Sequence, residues 1–299
     1  MESQAIQLDL FLDSRSVMLA NEALDALVKR DGPRAVRTVV ELRAEAPDYP
    51  SLRALEVLAH ALTEWRQPTG DVAKICSAVT WLEQVVGPAA RHAAGSQAEL
   101  VLDAFFRDLA DSARGLAYDP AQPKTHRAWL SLRCGDWAEA EAAALGIAGG
   151  TDIGDVLHWL CIARYRQRGL AAARPAIFRL AWHEPQRLAS VVEELGDQLL
   201  DRAFQSFQHA CDWESVEAPE LPAWFPAWYV IEHPAVSNDF DYVDPPSSPA
   251  RAAQLLTSII ELERQADWKR LIALREQLRA LNSDLFSVYM TRRAVRYSR

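Results

Sequence analysis

The fold of this chain is decided between residues 129 and 185, where two similar turns follow one another. Residues 130–140 read Leu-Ser-Leu-Arg-Cys-Gly-Asp-Trp-Ala-Glu-Ala, and residues 166–174 read Arg-Gln-Arg-Gly-Leu-Ala-Ala-Ala-Arg. In both copies an apolar segment led by a tryptophan stops at a glycine, Gly135 or Gly169, and an Ala-rich segment starts within one or two residues. Two antiparallel helices joined by a tight turn have this pattern. The stretch therefore predicts an all-α fold, a solenoid of antiparallel helix pairs.

The spacing of the two turns resembles that of a tetratricopeptide repeat. Gly135 and Gly169 are 34 residues apart, which is the period of that family. The resemblance implies a tetratricopeptide-like array whose concave face binds a peptide or another protein. The array would be degenerate, because the full pattern of small and large residues does not recur in consecutive copies. The resemblance therefore indicates a way of binding rather than a particular partner.

An Asp-Trp step occurs three times along the chain. We expect each Asp to cap the incoming helix and each Trp to fill the space between the helices of a pair. The three steps are Asp136-Trp137, Asp212-Trp213 and Asp267-Trp268.

Composition describes an ordinary globular protein. The 299 residues carry a formal charge of -9, and 49% of them are hydrophobic. With 41 Asp and Glu against 32 Lys and Arg, direct nucleic-acid binding is disfavoured, because phosphate contacts need a basic face. The sequence shows neither a signal peptide nor an apolar run long enough to span a membrane, so we expect a cytoplasmic protein without a membrane partner. Four widely spaced cysteines are expected to be buried reduced thiols: Cys76, Cys134, Cys161 and Cys211.

Composition shifts divide the chain into five segments. These are a leader over 1–12, N-terminal helix pairs over 13–118, central tetratricopeptide-like repeats over 119–211, a Pro- and aromatic-rich insertion over 212–249, and a C-terminal helix pair with a basic tail over 250–299. The tail contains Arg292, Arg293, Arg296 and Arg299, which would contact phosphate, remain in solvent, or pair with the acidic residues of the insertion.

Apolar residues at helical spacing predict the buried faces. The first helix is expected to begin at the N-cap candidate Asp13. Its inward face and that of the second helix are predicted as Val17, Ala20, Leu24, Leu27 and Val28, then Val36, Val39 and Val40. The next faces are Leu52, Leu55, Leu58, Leu62 and Trp65, then Val72, Ile75, Cys76, Val79, Leu82 and Val86, then Leu102, Phe105, Phe106 and Leu109. Gly87-Pro88 is expected to break the chain between the last two.

Two further helical faces follow the repeats. One long helix is expected from about Gln186 to Ala210, with Leu188, Val191, Val192, Leu195, Leu199 and Phe204 on its apolar stripe. The closing pair has Leu255, Leu256, Ile259, Ile260 and Leu262 on one helix and Leu271, Ile272, Leu274, Leu278 and Leu281 on the other.

The insertion over 212–249 combines many prolines with many aromatic residues. Prolines exclude long helices, while the aromatic surface is too large for a solvated linker. We interpret the segment as ordered and irregular. Within it, Trp224, Trp228 and Tyr229 form either a binding groove or only part of the core.

The residues that could carry chemistry do not assemble into a recognisable catalytic pattern. His158 and Cys161 are three apart on one helix, but zinc needs three or four ligands, so a packed helix face is favoured. His209 and Cys211 would diverge on a helix and lack an orienting partner. A glycine cluster, Gly146, Gly149, Gly150 and Gly154, lacks the Lys-Ser or Lys-Thr of a phosphate loop and indicates an inter-helix loop capped by Thr151 or Asp152. We therefore expect no catalytic residues, no metal and no cofactor.

The most specific local motif lies in the leader. Gln7, Leu8, Asp9, Leu10 and Phe11 match, at all five positions, the pentapeptide by which bacterial replication and repair proteins bind the DNA polymerase sliding clamp. The resemblance implies that Gln7 hydrogen-bonds at the rim of the clamp pocket, that Leu10 and Phe11 fill its apolar floor, and that Leu8 packs alongside. A short extended segment would lose little entropy in such docking. The alternative is that the same apolar residues cap the open end of the first helix pair.

The sequence thus favours a non-enzymatic protein-binding module, and more specifically a replication or repair accessory protein that docks on the sliding clamp. One alternative is an adaptor, chaperone or immunity-type protein that holds its partner on the concave face without the clamp. A second alternative is an enzyme with its site near the aromatic insertion.

Overall fold

The described part of the chain consists of α-helices joined by turns and by longer irregular segments such as residues 113–126. The computed structural model describes the backbone of residues 2–68, 70–211, 213, 216–239, 247–265 and 268–297, with the side chains of these ranges except 2–14, 237–239 and 296–297. Within these ranges there is no β-strand, which confirms the all-α prediction. The chain divides into two compact units, residues 1–140 and 141–299. No helix in the described part combines the length and the apolarity that a membrane crossing needs.

The first unit is built from helices that pack on their neighbours in the chain. They are α1 (Glu2–Val28), α2 (Gly32–Glu45), α3 (Leu52–Glu64), α4 (Val72–Trp81), α5 (Gly87–Ala94), α6 (Ala98–Ser112), α7 (Arg127–Arg133) and the first turn of α8 (Trp137–Leu145). α1 packs on α2, α2 on α3, α3 on α5, α5 on α6, and α6 on α7. The predicted faces of α3 and α6 are confirmed, since Leu55, Leu58, Phe105, Phe106 and Leu109 are all buried.

α1 differs from the prediction in its start and in its buried face. It begins at Glu2 rather than at Asp13, so the backbone of the leader is helical and not extended. No glycine or proline interrupts the first 31 residues, and Ala, Leu, Gln and Glu favour the helix. Val17 is 45% exposed and Val28 is 40% exposed. The buried face is Ser16, Leu19, Ala20, Ala23, Ala26 and Leu27.

The same shift occurs on α2, where Val36 and Val40 are exposed while Ala35, Val39 and Leu42 are buried. Both differences arise because the prediction uses valine as the marker of the core, whereas Val17, Val28, Val36 and Val40 are exposed. Alanine occupies much of the α1–α2 contact instead, since small side chains let two helices approach closely.

The predicted break at Gly87-Pro88 does not occur. A π-helical turn, Leu82–Val86, joins α4 to α5, and the amide of Gly87 donates to the carbonyl of Leu82. Pro88 has no amide hydrogen, and its ring clashes with the preceding turn of a regular α-helix. A π turn adds one residue and relieves such a conflict, so the chain continues as a helix.

The second unit contains the remaining helices. They are α9 (Gly154–Arg168), α10 (Leu170–His183), α11 (Leu188–Leu195), α12 (Gln198–Ala210), α13 (Phe225–Glu232), α14 (Ser248–Gln265), α15 (Trp268–Leu281) and α16 (Ser283–Tyr297). α9 and α10 form a hairpin, α14 packs on α13 and α15, and α16 packs on α13 and α15. The predicted C-terminal pair is therefore part of a three-helix group. Its inward residues Leu256, Ile259, Leu271 and Leu278 are buried, but Ile272 is 58% exposed.

The long helix predicted over residues 186–210 is divided in two. Gly196 adopts φ 64° and ends α11, and the carboxylate of Asp197 accepts hydrogen bonds from the amides of Leu199 and Leu200, both at 2.9 Å. A left-handed residue followed by a capping Asp stops one helix and starts another. Because α12 starts in a new direction, Leu199 is 71% exposed and not in the core.

The turns that decide the fold behave as predicted. Gly135 has φ 70° and Gly169 has φ 77°, a backbone conformation that favours glycine. Asp136 caps α8 by accepting from the amide of Glu139 at 3.2 Å. Asp212 and Asp267 lie outside the described residues. Trp268 contradicts the expectation for the third step, since it is 56% exposed and fills no space between helices.

Candidate functional site

The pentapeptide Gln7-Leu8-Asp9-Leu10-Phe11 belongs to the first turns of α1, and its side chains lie outside the described part of the structure. The first described side chain of this helix is Arg15, whose Nε lies 3.4 Å from a carboxylate oxygen of Glu45. Glu45 is the last residue of α2. The pentapeptide thus precedes the level at which α2, the hairpin partner of α1, ends.

The described aromatic residues of the insertion are part of the core of the second unit. Trp224, Trp228 and Tyr229, the predicted groove residues, are only 4–7% exposed. The ring of Trp228 meets Phe207 at a centroid distance of 5.7 Å, and the ring of Tyr229 meets Phe178 at 5.5 Å. Of the two interpretations that the sequence left open, the structure has these side chains packed in the core.

Two open surface grooves flank α4 in the first unit. One groove of about 550 Å³ lies between α4 and the segment that follows α3. It is lined by Arg66, Gln67, Pro68, Ala73, Lys74, Ser77 and Ala78. A second groove of about 530 Å³ lies on the other side of α4. It is lined by Ala73, Cys76, Ser77, Thr80, Trp81, Gln84, Val85 and Gln122.

The grooves are supported by an aromatic cluster beneath them. The indoles of Trp65 and Trp81 are stacked at 6.2 Å, and Trp65 meets Phe105 edge-on at 4.9 Å. The indole nitrogen of Trp65 donates to the carboxylate of Asp108 at 2.8 Å, and the guanidinium of Arg30 donates to the same oxygen at 2.8 Å. Trp81, which forms part of the wall of the second groove, is therefore fixed in position by its contact with Trp65.

A buried charge network joins three helices of the second unit. Oε1 of Glu263 accepts from the guanidinium of Arg275 at 2.6 Å and from Nε of Arg293 at 2.9 Å. Tyr289, which is 1% exposed, also donates to this oxygen and accepts from Nε of Arg275 at 2.9 Å. Burial and the neighbouring Glu263 carboxylate raise the pKa of the Tyr289 phenol, so the phenol is neutral at physiological pH. Charged and phenolic side chains of this kind could form a functional site, but here they join α14, α15 and α16 to one another.

Two arginines of the predicted basic tail, Arg292 and Arg293, have intramolecular partners. Nε of Arg292 lies 2.6 Å from Oε1 of Glu232, which belongs to the predicted insertion, and Arg293 binds Glu263 as above. This is one of the interpretations that the sequence left open. The side chains of Arg296 and Arg299 lie outside the described residues.

The histidine and cysteine candidates are placed apart from one another or paired with other groups. Nε2 of His158 lies 2.7 Å from a carboxylate oxygen of Glu194. The thiol of Cys161 is fully buried, which raises its pKa far above the ordinary value. His209 is exposed, while Cys211 is 2% exposed and burial raises its pKa to about 12. Neither thiol is therefore an activated nucleophile.

All four cysteines are free thiols, and Cys134 is also buried, with its pKa raised by burial. The fourth, Cys76, is half-buried and lines the second groove. In the part of the chain that the structure describes, no three His, Cys, Asp or Glu residues are arranged to hold a metal ion.

The glycine cluster forms the loop between α8 and α9, as predicted. Neither Thr151 nor Asp152 caps α9, because the residue at the cap position is Ile153. Asp152 instead accepts from the guanidinium of Arg179 at 2.8 Å.

A charge cluster that the sequence did not reveal lies at the start of α9. The carboxylate of Glu184 lies against Gly154, the first residue of α9, in space that a Cβ atom would otherwise occupy. Arg187 bridges two acids, with Nε 2.5 Å from Glu184 and Nη1 2.5 Å from Asp155. A carboxylate near a helix N-terminus is favoured by the helix dipole. The only local signal was a glycine at the first helical position.

No protein-family model matches this chain, and no curated protein or solved structure matches it.

Proposed function

We propose that this protein is a non-enzymatic protein-binding module that docks on the bacterial DNA sliding clamp through Gln7, Leu8, Asp9, Leu10 and Phe11, as an accessory protein of replication or repair in the cytoplasm. The observation that supports the proposal is the position of this pentapeptide on α1. It precedes Arg15, and the Arg15–Glu45 ion pair marks the level at which α2 ends.

The lengths of the two helices agree with this position. At 1.5 Å per residue, the 27 residues of α1 extend about 40 Å and the 14 residues of α2 about 21 Å. α2 runs back along α1 from the turn at residues 29–31. At this length it ends near Arg15. The backbone of residues 7–11 therefore lies beyond the end of α2 along α1.

Docking in the extended form that the resemblance implies requires the first turns of α1 to unwind. Residues 2–11 form nearly three turns, and a helical segment of this length is only marginally stable in water by itself, so its opening requires little free energy. The contacts that the two or three apolar anchors make with the clamp must compensate the free energy of unwinding, and only the remainder contributes to the affinity. We therefore expect micromolar rather than nanomolar affinity for the isolated clamp.

The test is direct binding of the full chain to purified bacterial sliding clamp, measured by calorimetry. The double variant Leu10→Ala, Phe11→Ala should weaken binding at least tenfold. The matched control is Val17→Ala, Met18→Ala, which changes two residues of the same helix that are 45% and 68% exposed, and it should bind as the wild type does. Affinity equal to wild type in the Leu10, Phe11 variant would disprove the proposal.

The alternative of the same class is an adaptor, chaperone or immunity-type protein that uses helix faces without the clamp, and a negative clamp measurement would favour it. The enzyme alternative places a site near the aromatic insertion. There, Trp224, Trp228 and Tyr229 pack against other aromatic rings in the core, which supports a structural role for the insertion.

A further inference from the structure

We propose that the outer face of α4 is a docking surface for an acidic amphipathic helix of a partner protein. This surface belongs to the first unit, uses none of the pentapeptide residues and does not depend on clamp binding. Shape, an apolar anchor and charge each contribute to the argument.

The shape fits a helix. Ala73 and Ser77 line both grooves, so they form a low ridge with a groove on either side. They are one helical turn apart, and both are exposed. Helices pack by placing side-chain ridges into grooves, and small residues at the contact let the axes approach to about 8 Å. A partner helix that crosses α4 at this ridge would place a row of larger side chains in each groove.

An apolar anchor lies at one end of the surface. Trp81 lines the second groove and is fixed from behind by stacking on Trp65. Val85, one turn further on, is 42% exposed and lines the same groove. Interface residues that contribute strongly are often aromatic side chains whose position is already fixed, because little conformational freedom is lost on binding.

The charge of the surface selects an acidic partner. The residues that line the two grooves include two cations, Arg66 and Lys74, and no Asp or Glu. Arg66 donates to the carbonyl oxygens of Thr63 and Trp65. These acceptors are neutral, so they do not compensate the positive charge of Arg66. Lys74 lies 3.7 Å from the carboxylate of Asp71, the N-cap of α4, so the positive charge that no carboxylate balances here is that of Arg66. In a chain of formal charge -9, this surface therefore has a small net positive charge.

The half-buried thiol of Cys76 provides the measurement. It lines the second groove, whereas Cys134, Cys161 and Cys211 are 7%, 0% and 2% exposed, so Cys76 should be alkylated first. The probe is a synthetic amphipathic helix with leucines on one face and glutamates on both flanks. Its matched control carries lysine in place of every glutamate. The acidic peptide at saturation should slow alkylation of Cys76 in the full-length protein at least fivefold, and the basic peptide should not.

Three variants test where the peptide binds. Ala73→Trp places a large side chain on the ridge between the grooves and should weaken binding of the acidic peptide at least tenfold. Ala44→Trp, which places the same side chain at an exposed position of α2, should leave it unchanged. The double variant Arg66→Glu, Lys74→Glu should reverse the preference toward the basic peptide. All three changes are at exposed positions, and thermal unfolding checks that each variant folds.

Three results would overturn the proposal. The first is equal protection of Cys76 by both peptides, or protection by neither. The second is unchanged binding in the Ala73→Trp variant. The third is protection of Cys76 on raising the protein concentration alone, which would assign the surface to a second copy of the chain.

Discussion

The hydroxyl of Tyr289 on α16 donates a 2.6 Å hydrogen bond to Oε1 of Glu263 on α14. Arg275 of α15 and Arg293 of α16 donate to the same oxygen, and the Glu263 side chain is only 7% exposed. One carboxylate oxygen therefore joins three helices. When a buried ion pair loses one partner, the charge that remains is left in a poorly solvated place.

Glu263→Ala should thus destabilise the protein by about 3–5 kcal/mol, because two arginines lose their common partner. Tyr289→Phe removes two hydrogen bonds with charged groups, the one to Glu263 and the one from Arg275, and should destabilise the protein by about 3 kcal/mol. Urea unfolding monitored by tryptophan fluorescence measures both. Glu276→Ala, an exposed acidic residue of α15, is the control and should change stability by less than about 0.5 kcal/mol. A similarly small effect of Glu263→Ala would contradict the network.

Gly154→Ala should destabilise the protein by at most about 1 kcal/mol, because the new methyl group would displace the flexible Glu184 carboxylate from its ion pair with Arg187. The double variant with Glu184→Ala should recover part of the loss, which thermal unfolding can measure. Gly146→Ala is the matched control. Its nearest atom would be the Ala143 carbonyl oxygen at 3.5 Å, an ordinary contact. Equal effects of the two glycine variants would contradict the placement of Glu184.

Acidification should destabilise the protein through His126. This residue is 8% exposed, its Nδ1 accepts from the amide of Ala128 at 3.2 Å, and burial lowers its pKa below the ordinary 6.5. The unfolded chain therefore binds a proton at higher pH than the folded chain. The stabilisation is present above the unfolded pKa and is lost as the pH falls toward the folded pKa, with a slope of at most about 1.4 kcal/mol per pH unit.

In His126→Asn the side-chain oxygen can still cap α7, but the titrating group is gone. Denaturant unfolding at pH 7.5 and at pH 5.5 should show a smaller loss of stability in the variant than in the wild type. An identical loss in both proteins would show that His126 does not contribute.

The tryptophans of the Asp-Trp steps should differ widely in their effect on stability. Trp213 is 8% exposed and meets the rings of Phe207 and Trp224 at 6.1 and 6.0 Å, so Trp213→Ala should destabilise by about 3–5 kcal/mol. Trp268 is 56% exposed, so Trp268→Ala should change stability by less than about 0.5 kcal/mol. Urea unfolding compares the two directly. Equal losses would support the interpretation that the steps share one structural role.

Local patterns were sufficient for the fold class and for much of the core. The periodic leucines and phenylalanines of α3 and α6 predicted their buried faces, and the glycines at 135 and 169 predicted two helix turns, because each depends only on near neighbours in the chain. The break at Gly196-Asp197 had the same Gly-Asp signal as Gly135-Asp136 and could have been found by the same argument. On α1 and α2, however, alanine faces the partner helix, and no local rule distinguishes that from a valine face.

The sequence offered pairing of the tail arginines with the insertion as one alternative, but the individual partners in the charged sites could not be predicted, because they come from distant parts of the sequence. Glu263 and Tyr289 are 26 residues apart, and Glu232 and Arg292 are 60 apart. The grooves beside α4 could not be predicted either. Their walls include Gln122 and the segment that follows α3, and the sequence does not show that these lie beside α4. Charge and polarity along the sequence indicate only that such residues are solvated or paired, and they do not identify the partner.

The adjacent arginines of α16 have a consequence for how the protein is made. Arg292 and Arg293 reach carboxylates on two different helices, which are synthesised 60 and 30 residues earlier. While a ribosome is still translating this region, Glu263 is already part of a nascent α14 but lacks one of its cations. The second unit therefore reaches its final electrostatic balance only after α16 emerges from the exit tunnel, so chains that stop short of this helix should be preferred substrates for cellular proteases.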